Sequence, residues 1–118
     1  MVDMKNIGED WIRELKKGSV QLCILAMLSS KKKYGFQIIK ELKEQSGGYY
    51  TLKEGTLYPA LHRLEKRGYL KSEWVTQKSG MPRKYYTLTN RGKMALKEAK
   101  LEWKNMVTSL NKVLEAAK

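Results

Sequence analysis

The chain has 118 residues, of which 24 are Lys or Arg, 12 are Asp or Glu and 42% are hydrophobic. That is one domain's worth of chain, with enough apolar content for a small core and too much for a disordered protein. The longest unbroken apolar run, LCILAML from Leu22 to Leu28, is too short to cross a bilayer, and MVDMKNIGEDW at the N-terminus has no apolar stretch that reads as a secretory signal. Cys23, the one cysteine, lies in that apolar run; it reads as a small core residue with no internal disulfide partner and suits a reducing cytoplasm.

The net charge of +12 is unevenly placed. Residues 1–30 carry four basic and four acidic side chains, residues 31–93 fifteen and five, and residues 94–118 five and three. Nucleic acid is the usual partner of such a concentrated cationic block, because Lys and Arg release counterions from phosphates. A merely solubilising surface is the plainer alternative. No membrane role is expected, since the basic residues are not confined to one amphipathic helix.

In chain order, residues from about Asp10 to Leu28 form a helix, with Trp11, Leu15, Leu22 and Met27 close to the helical period. Gly18 interrupts it and marks either a close helix approach or a break into two helices. Lys31, Lys32 and Lys33 follow as a solvated turn or a phosphate brace. A second helix, from about Gly35 to Ser46, places Gly35, Ile38, Ile39 and Leu42 on one face, and Gly47-Gly48 ends it. The third helix, from about Glu54 to Arg67, has Leu57, Ala60, Leu61 and Leu64 as its core stripe. Thr51 and Glu54 have the spacing of a capping box, which would start this helix at Leu52. A start near Gly55 or Thr56 is preferred, because it puts Pro59 in the first turn, where a missing N–H costs little.

Alternation from Leu70 to Gln77 and from Arg83 to Leu88, joined by KSGMP, predicts a β-hairpin. Tyr86 and Leu88 share one face of it, Tyr85 and Thr87 the other. Thr89 is the expected N-cap of a last helix. In that helix Leu96, Ala99, Trp103, Met106, Leu110, Val113 and Ala117 are spaced 3, 4, 3, 4, 3, 4, a heptad seam suited to a homodimer, with packing on the chain's own core as the alternative.

Three helices, a basic hairpin and a helix make a mainly α fold with a small β-hairpin, in the order of a winged helix-turn-helix followed by a dimerisation helix. The winged domain is expected over residues 1–89 and the dimerisation helix over 90–118, as one compact unit. The third helix is the expected major-groove reader. Its face away from the core offers Thr56, Tyr58, Pro59, His62, Arg63 and Lys66, and the wing offers Lys78, Arg83 and Lys84. Arg63 suits a guanine or a phosphate; Tyr58, Lys66 and the wing cations suit phosphates. A salt bridge within the chain is the alternative for Arg63. His62 has no second His or Cys near it, so no metal is expected, and no cofactor either. The chain has no GxxxxGK[ST], GxGxxG or HExxH motif and no paired carboxylates, so an enzyme is not expected. The remaining alternative is a basic winged module that binds RNA or protein and has no effector.

Three blocks carry a resemblance. YGFQIIKEL (Tyr34 to Leu42), EGTLYPALHRLEKRGYL (Glu54 to Leu70) and GMPRKYYTLTNRG (Gly80 to Gly92) resemble, in order and spacing, the PadR-like family of transcriptional regulators. The single terminal helix resembles that of the family's short-tailed branch. The resemblance implies a homodimer with the terminal helix packed across the two-fold axis, often against the partner's first helix. It also implies binding to palindromic double-stranded operator DNA, usually in repression, with release by a small aromatic or lipophilic effector in many members. By position it implies DNA contacts at Tyr34, Thr56, Tyr58 and Arg63 and a wing contact at Lys84. Trp103 is similarly placed to a tryptophan on which aromatic ligands stack in the multidrug-sensing branch, with dimer packing as its alternative role; Trp11 lies on a segment that could close over the same region.

Overall fold

The computed structural model describes residues Met4–Ala117, with side chains from Gly8 onward. Helix α1 (Met4–Leu28) runs unbroken for 25 residues. Its second half carries Val20, Ile24, Leu25, Met27 and Leu28 into the core, while Trp11, Ile12 and Leu15 of the first half stand exposed. Neither expectation for Gly18 holds. The helix passes straight through it, and a Cβ there would meet no heavy atom within 4 Å. Gly18→Ala is therefore expected to stabilise the chain by about 1 kcal/mol, the helix-propensity difference, in urea unfolding. A loss of stability instead would mean that another chain's backbone approaches Gly18 in solution.

Strand β1 (Lys33–Tyr34) was not expected. Two residues are too few for a period-2 pattern, and their partners lie fifty residues away: Lys33 pairs with Tyr86 and Tyr34 with Tyr85. Helix α2 (Gly35–Gln45) follows directly and buries Gly35, Ile38 and Leu42. The loop after it is clasped to α1. Lys16 Nζ donates to the Tyr49 carbonyl at 2.7 Å and lies 3.9 Å from the centroid of the Tyr49 ring, while Ser19 Oγ makes a short hydrogen bond with the Tyr50 hydroxyl.

Helix α3 (Glu54–Lys66) is capped by Lys53 without a side-chain bond. No capping box forms, because the Thr51 hydroxyl donates to the Gly48 carbonyl at 3.0 Å. The start at Glu54 is one or two residues earlier than the preferred one, so Pro59 lies inside the helix rather than in its first turn. The hydrogen bond that Pro59 forgoes is tolerated because the core stripe is so well buried: Leu57, Ala60, Leu61 and Leu64 are each at most 2% exposed.

Strands β2 (Leu70–Thr76) and β3 (Pro82–Leu88) form the wing, with Leu70 opposite Leu88, Trp74 opposite Lys84 and Thr76 opposite Pro82. With β1 they make a three-stranded antiparallel sheet of order β1-β3-β2, one strand more than the expected hairpin. Tyr86 and Leu88 bury against the helices as their alternation predicts. Helix α4 (Asn90–Ala116) starts at Thr89, whose hydroxyl accepts from Gly92 N at 3.0 Å and donates to the Gly68 carbonyl at 2.6 Å. Gly92 is required at this corner, since a Cβ there would collide with the Tyr69 carbonyl oxygen. Leu96 closes the core; every described residue of α4 beyond Ala99 is exposed.

Candidate nucleic-acid interface

Residues of α2, α3, β1 and the wing surround an open cleft of about 1650 Å³. Tyr58 and His62 line it from α3, Tyr34 from β1, and Lys78, Arg83 and Lys84 from the wing, so six of the expected contacts share one surface. Thr56, Pro59, Arg63 and Lys66 do not line it; they are exposed along the rest of α3's outward face. The core stripe dictates this division. With Leu57, Ala60, Leu61 and Leu64 turned inward, a 100° step leaves Tyr58, His62 and Glu65 on the flank toward the wing and Thr56, Pro59 and Arg63 on the other. Among the described residues the ion pairs are Arg13–Asp10, Lys32–Glu73 and Lys33–Glu41, so the salt-bridge alternative for Arg63 has no carboxylate to support it.

Tyr58 also packs against the start of α2. Its ring occupies the space that a Cβ on Gly35 would need, so Gly35 is buried at the start of α2 because α3 passes over it. Tyr34 is half-buried: its ring meets Tyr85 edge-on at 5.5 Å, and the Arg83 guanidinium lies 4.4 Å from its centroid. Arg83 is thus held by an aromatic face while its remaining donors stay available. Lys84 stands beside both Trp74 and Tyr86, with Nζ 5.9 Å and 5.7 Å from their rings. Burial pushes the Tyr86 phenol above its ordinary value, with smaller contributions from the Glu65 carboxylate and from Tyr58. Glu65 is itself engaged, its Oε2 accepting from the Ser72 hydroxyl at 2.5 Å.

The lysine run has a different role from either one expected. Lys33 is only 3% exposed, and its Nζ donates to Glu41 Oε1 at 3.1 Å; Lys32 pairs with Glu73 at 3.1 Å. Of the run, Lys31 is the exposed lysine on the cleft that pairs with no described carboxylate. Two exposed aromatics of the cleft wall, Phe36 and Trp74, were not anticipated as site residues. Trp74 sits on the strand face that buries Leu70, so period-2 alternation assigns it to the core; the wing has left the core by that point.

Away from this cleft, Trp103, Met106, Leu110 and Val113 of the heptad seam are exposed in the single chain, as are Val107 and Leu114 beside them. Trp11 is 65% exposed. A second groove, of about 600 Å³, runs between α1 and α4 past Gly18, Leu22, Leu25, Ala95 and Ala99. Neither Trp11 nor Trp103 lines either of these two clefts. Cys23 is half-buried, and burial raises its thiol pKa. Among the described residues no helix is long and apolar enough to cross a membrane, and no group of three or more His, Cys, Asp and Glu is placed to hold a metal ion.

Residues 24–98 match the description "Transcriptional regulator PadR-like family". The transcriptional regulator Rv3488 of Mycobacterium tuberculosis is 37% identical over 87 residues, 74% of this chain and 78% of that one. The negative transcriptional regulator PadR of Bacillus subtilis is 30% identical over 77 residues, 65% of this chain and 42% of that one. Among solved structures, a PadR family transcriptional regulator from Eggerthella lenta superposes with a TM-score of 0.84 at 32% identity, over 95% of this chain and 96% of the other. A PadR family regulator from Clostridium difficile is 41% identical, with a TM-score of 0.71, over 80% of this chain and 97% of its own. With these matches on both sequence and winged-helix fold, the chain belongs to the PadR-like family of transcriptional regulators, which is not a family of enzymes.

Proposed function

We propose that the protein is a cytoplasmic, homodimeric repressor that binds a pseudo-palindromic operator and is released by a small aromatic or lipophilic molecule. DNA binding itself is implied by the family. The observation that carries the finer reading is the division of the surface. The cations gather on α3 and the wing, while a continuous apolar stripe, Trp103, Met106, Leu110 and Val113, is left without partners on α4. A stripe of that length on a soluble chain marks an association surface, and heptad spacing suits a second copy of the same helix.

Two copies related by a two-fold axis would present two α3 helices to successive major grooves, about 34 Å apart. The cationic cleft and wing supply affinity through phosphates, and Arg63, with Thr56 and Tyr58, supplies register and base readout. A small aromatic molecule binding beside Trp103 at the dimer seam acts by favouring one inter-subunit geometry over another, and its effect is limited to its differential affinity for the two. The terminal Trp is 41% exposed in the single chain, which leaves ring surface for such a contact.

The test is the mass in solution, followed by titration with a duplex from the gene's own upstream region at several salt concentrations. Two chains per duplex, with affinity falling steeply as salt rises, support the reading. A monomer in solution overturns the seam assignment. A shallow salt dependence favours a protein partner over nucleic acid. Arg63→Ala is expected to weaken duplex binding by about 1–3 kcal/mol and to relax sequence preference at one position of each half-site. Unchanged affinity with an intact fold removes Arg63 from the site.

A further inference from the structure

We infer that Trp74 is a DNA contact, packing its indole against the deoxyribose edge of the strand that passes between α3 and the wing. The inference rests on the duplex-binding reading above. If α3 enters a major groove and the wing tip reaches the neighbouring minor groove, the sugar-phosphate strand dividing those grooves must run through the cleft between them. The side chains of that cleft are therefore those that meet the strand. Tyr58 and His62 face it from α3, and Trp74 and Lys84 face it from the wing.

Following β2 outward shows why Trp74 is left open. Leu70 is buried in the core; Ser72, two residues on and on the same face, bonds to Glu65 of α3; Trp74, the next on that face, has nothing of α3 to pack against and is 67% exposed. Lys84 is its direct cross-strand partner. The cleft thus offers an ammonium and an indole side by side, and a nucleic-acid strand offers alternating phosphates and apolar sugars. The wing lines the cleft with Lys78, Arg83 and Lys84 and with no carboxylate, so the wing side of the cleft is cationic. An indole contact buries apolar surface and releases no counterions, so its contribution does not depend on salt, unlike that of Lys84.

The experiment measures the affinity of the wild-type protein, Trp74→Ala and Lys84→Ala for one duplex, selected by the wild-type protein from a random pool, across a range of salt concentrations. Trp74→Ala is expected to weaken binding about tenfold by the same factor at every salt concentration, the worth of one modest apolar patch. Lys84→Ala is expected to lower the slope of log affinity against log salt by about 0.9. Equal affinity of Trp74→Ala and wild type overturns the inference. So does a loss that flattens the salt dependence as Lys84→Ala does, because Trp74 would then act only by holding Lys84. If the wild-type protein selects no duplex, the duplex-binding reading fails and takes the inference with it. A second readout needs no loss of the side chain. In protein labelled with 5-fluorotryptophan, the Trp74 fluorine resonance, assigned through Trp74→Phe, is expected to move when the duplex is added. A resonance that stays in place overturns the contact.

Discussion

Leu110→Asp is expected to turn the protein into a monomer whose winged portion remains folded. Leu110 is half exposed in the single chain and belongs to none of the core, so an aspartate there leaves Ile24, Ile38, Leu57, Leu61 and Leu64 packed as before. In a two-fold seam each substitution is made twice. Burying a leucine side chain is worth about 1.5–3 kcal/mol, so the loss per dimer is about 3–6 kcal/mol, before the cost of bringing two carboxylates together in an apolar interface. The dimer dissociation constant should rise at least about 100-fold. Operator affinity should fall with it, to that of one half-site. Sedimentation equilibrium checks the first expectation and duplex titration the second. A Leu110→Asp protein that still dimerises at wild-type strength excludes the α4 seam. Thr108→Asp, at an exposed position off the seam and with the same change of charge, serves as the control for charge alone.

The second large effect is expected at Lys33. Its ammonium is buried against Glu41, while Glu41 Oε2, also buried, receives no hydrogen bond from any described residue. Lys33→Ala leaves that carboxylate without its counter-charge. Removing one partner of a fully buried pair costs about 3–5 kcal/mol. The Glu41 side chain keeps 26% of its surface exposed, so about 2–3 kcal/mol is expected here, read from urea unfolding. The double variant Lys33→Met with Glu41→Leu should recover most of the loss, because apolar side chains of similar size carry no desolvation cost. A loss below about 0.5 kcal/mol in Lys33→Ala would mean that solvent already screens the pair. Because Lys33 lies at the start of β1 and Glu41 on α2, this pair ties the sheet edge to a helix that lines the cleft.

The same residue shows what could and could not be read from the chain alone. The order of the helices, the core stripes of α2 and α3, the two wing strands and the Thr89 cap follow from local spacing, and the structure agrees with them. Lys33 sits in a run of three lysines, and nothing local distinguishes it from Lys31; only its pairing with Tyr86, far along the chain, turns it inward. Trp74 was hidden for the opposite reason. Its alternation is regular, but the core that alternation normally signals ends two residues earlier on the strand. The start of α3 lies one or two residues before the expected one, because burial of four apolar side chains outweighs the hydrogen bond that Pro59 forgoes. Of the expected site, the cations and Tyr58 were legible from residue type and helical face. Their arrangement around one cleft depends on how α2, α3 and the sheet pack, and that is set by contacts distant in sequence.

The clasp between Lys16, Ser19 and the Tyr49-Tyr50 loop has a mechanical consequence. Helix α1 has no break, so it behaves as a rod about 37 Å long. One end is embedded in the core and the other carries the exposed Trp11, Ile12 and Leu15. The clasp grips this rod near its midpoint and connects it to the loop from which α3 departs. A tilt of one degree displaces the far end by roughly 0.6 Å relative to the embedded one. The rod is thus a lever and the clasp its linkage: a displacement imposed at the free end would reach the root of α3 in reduced amplitude.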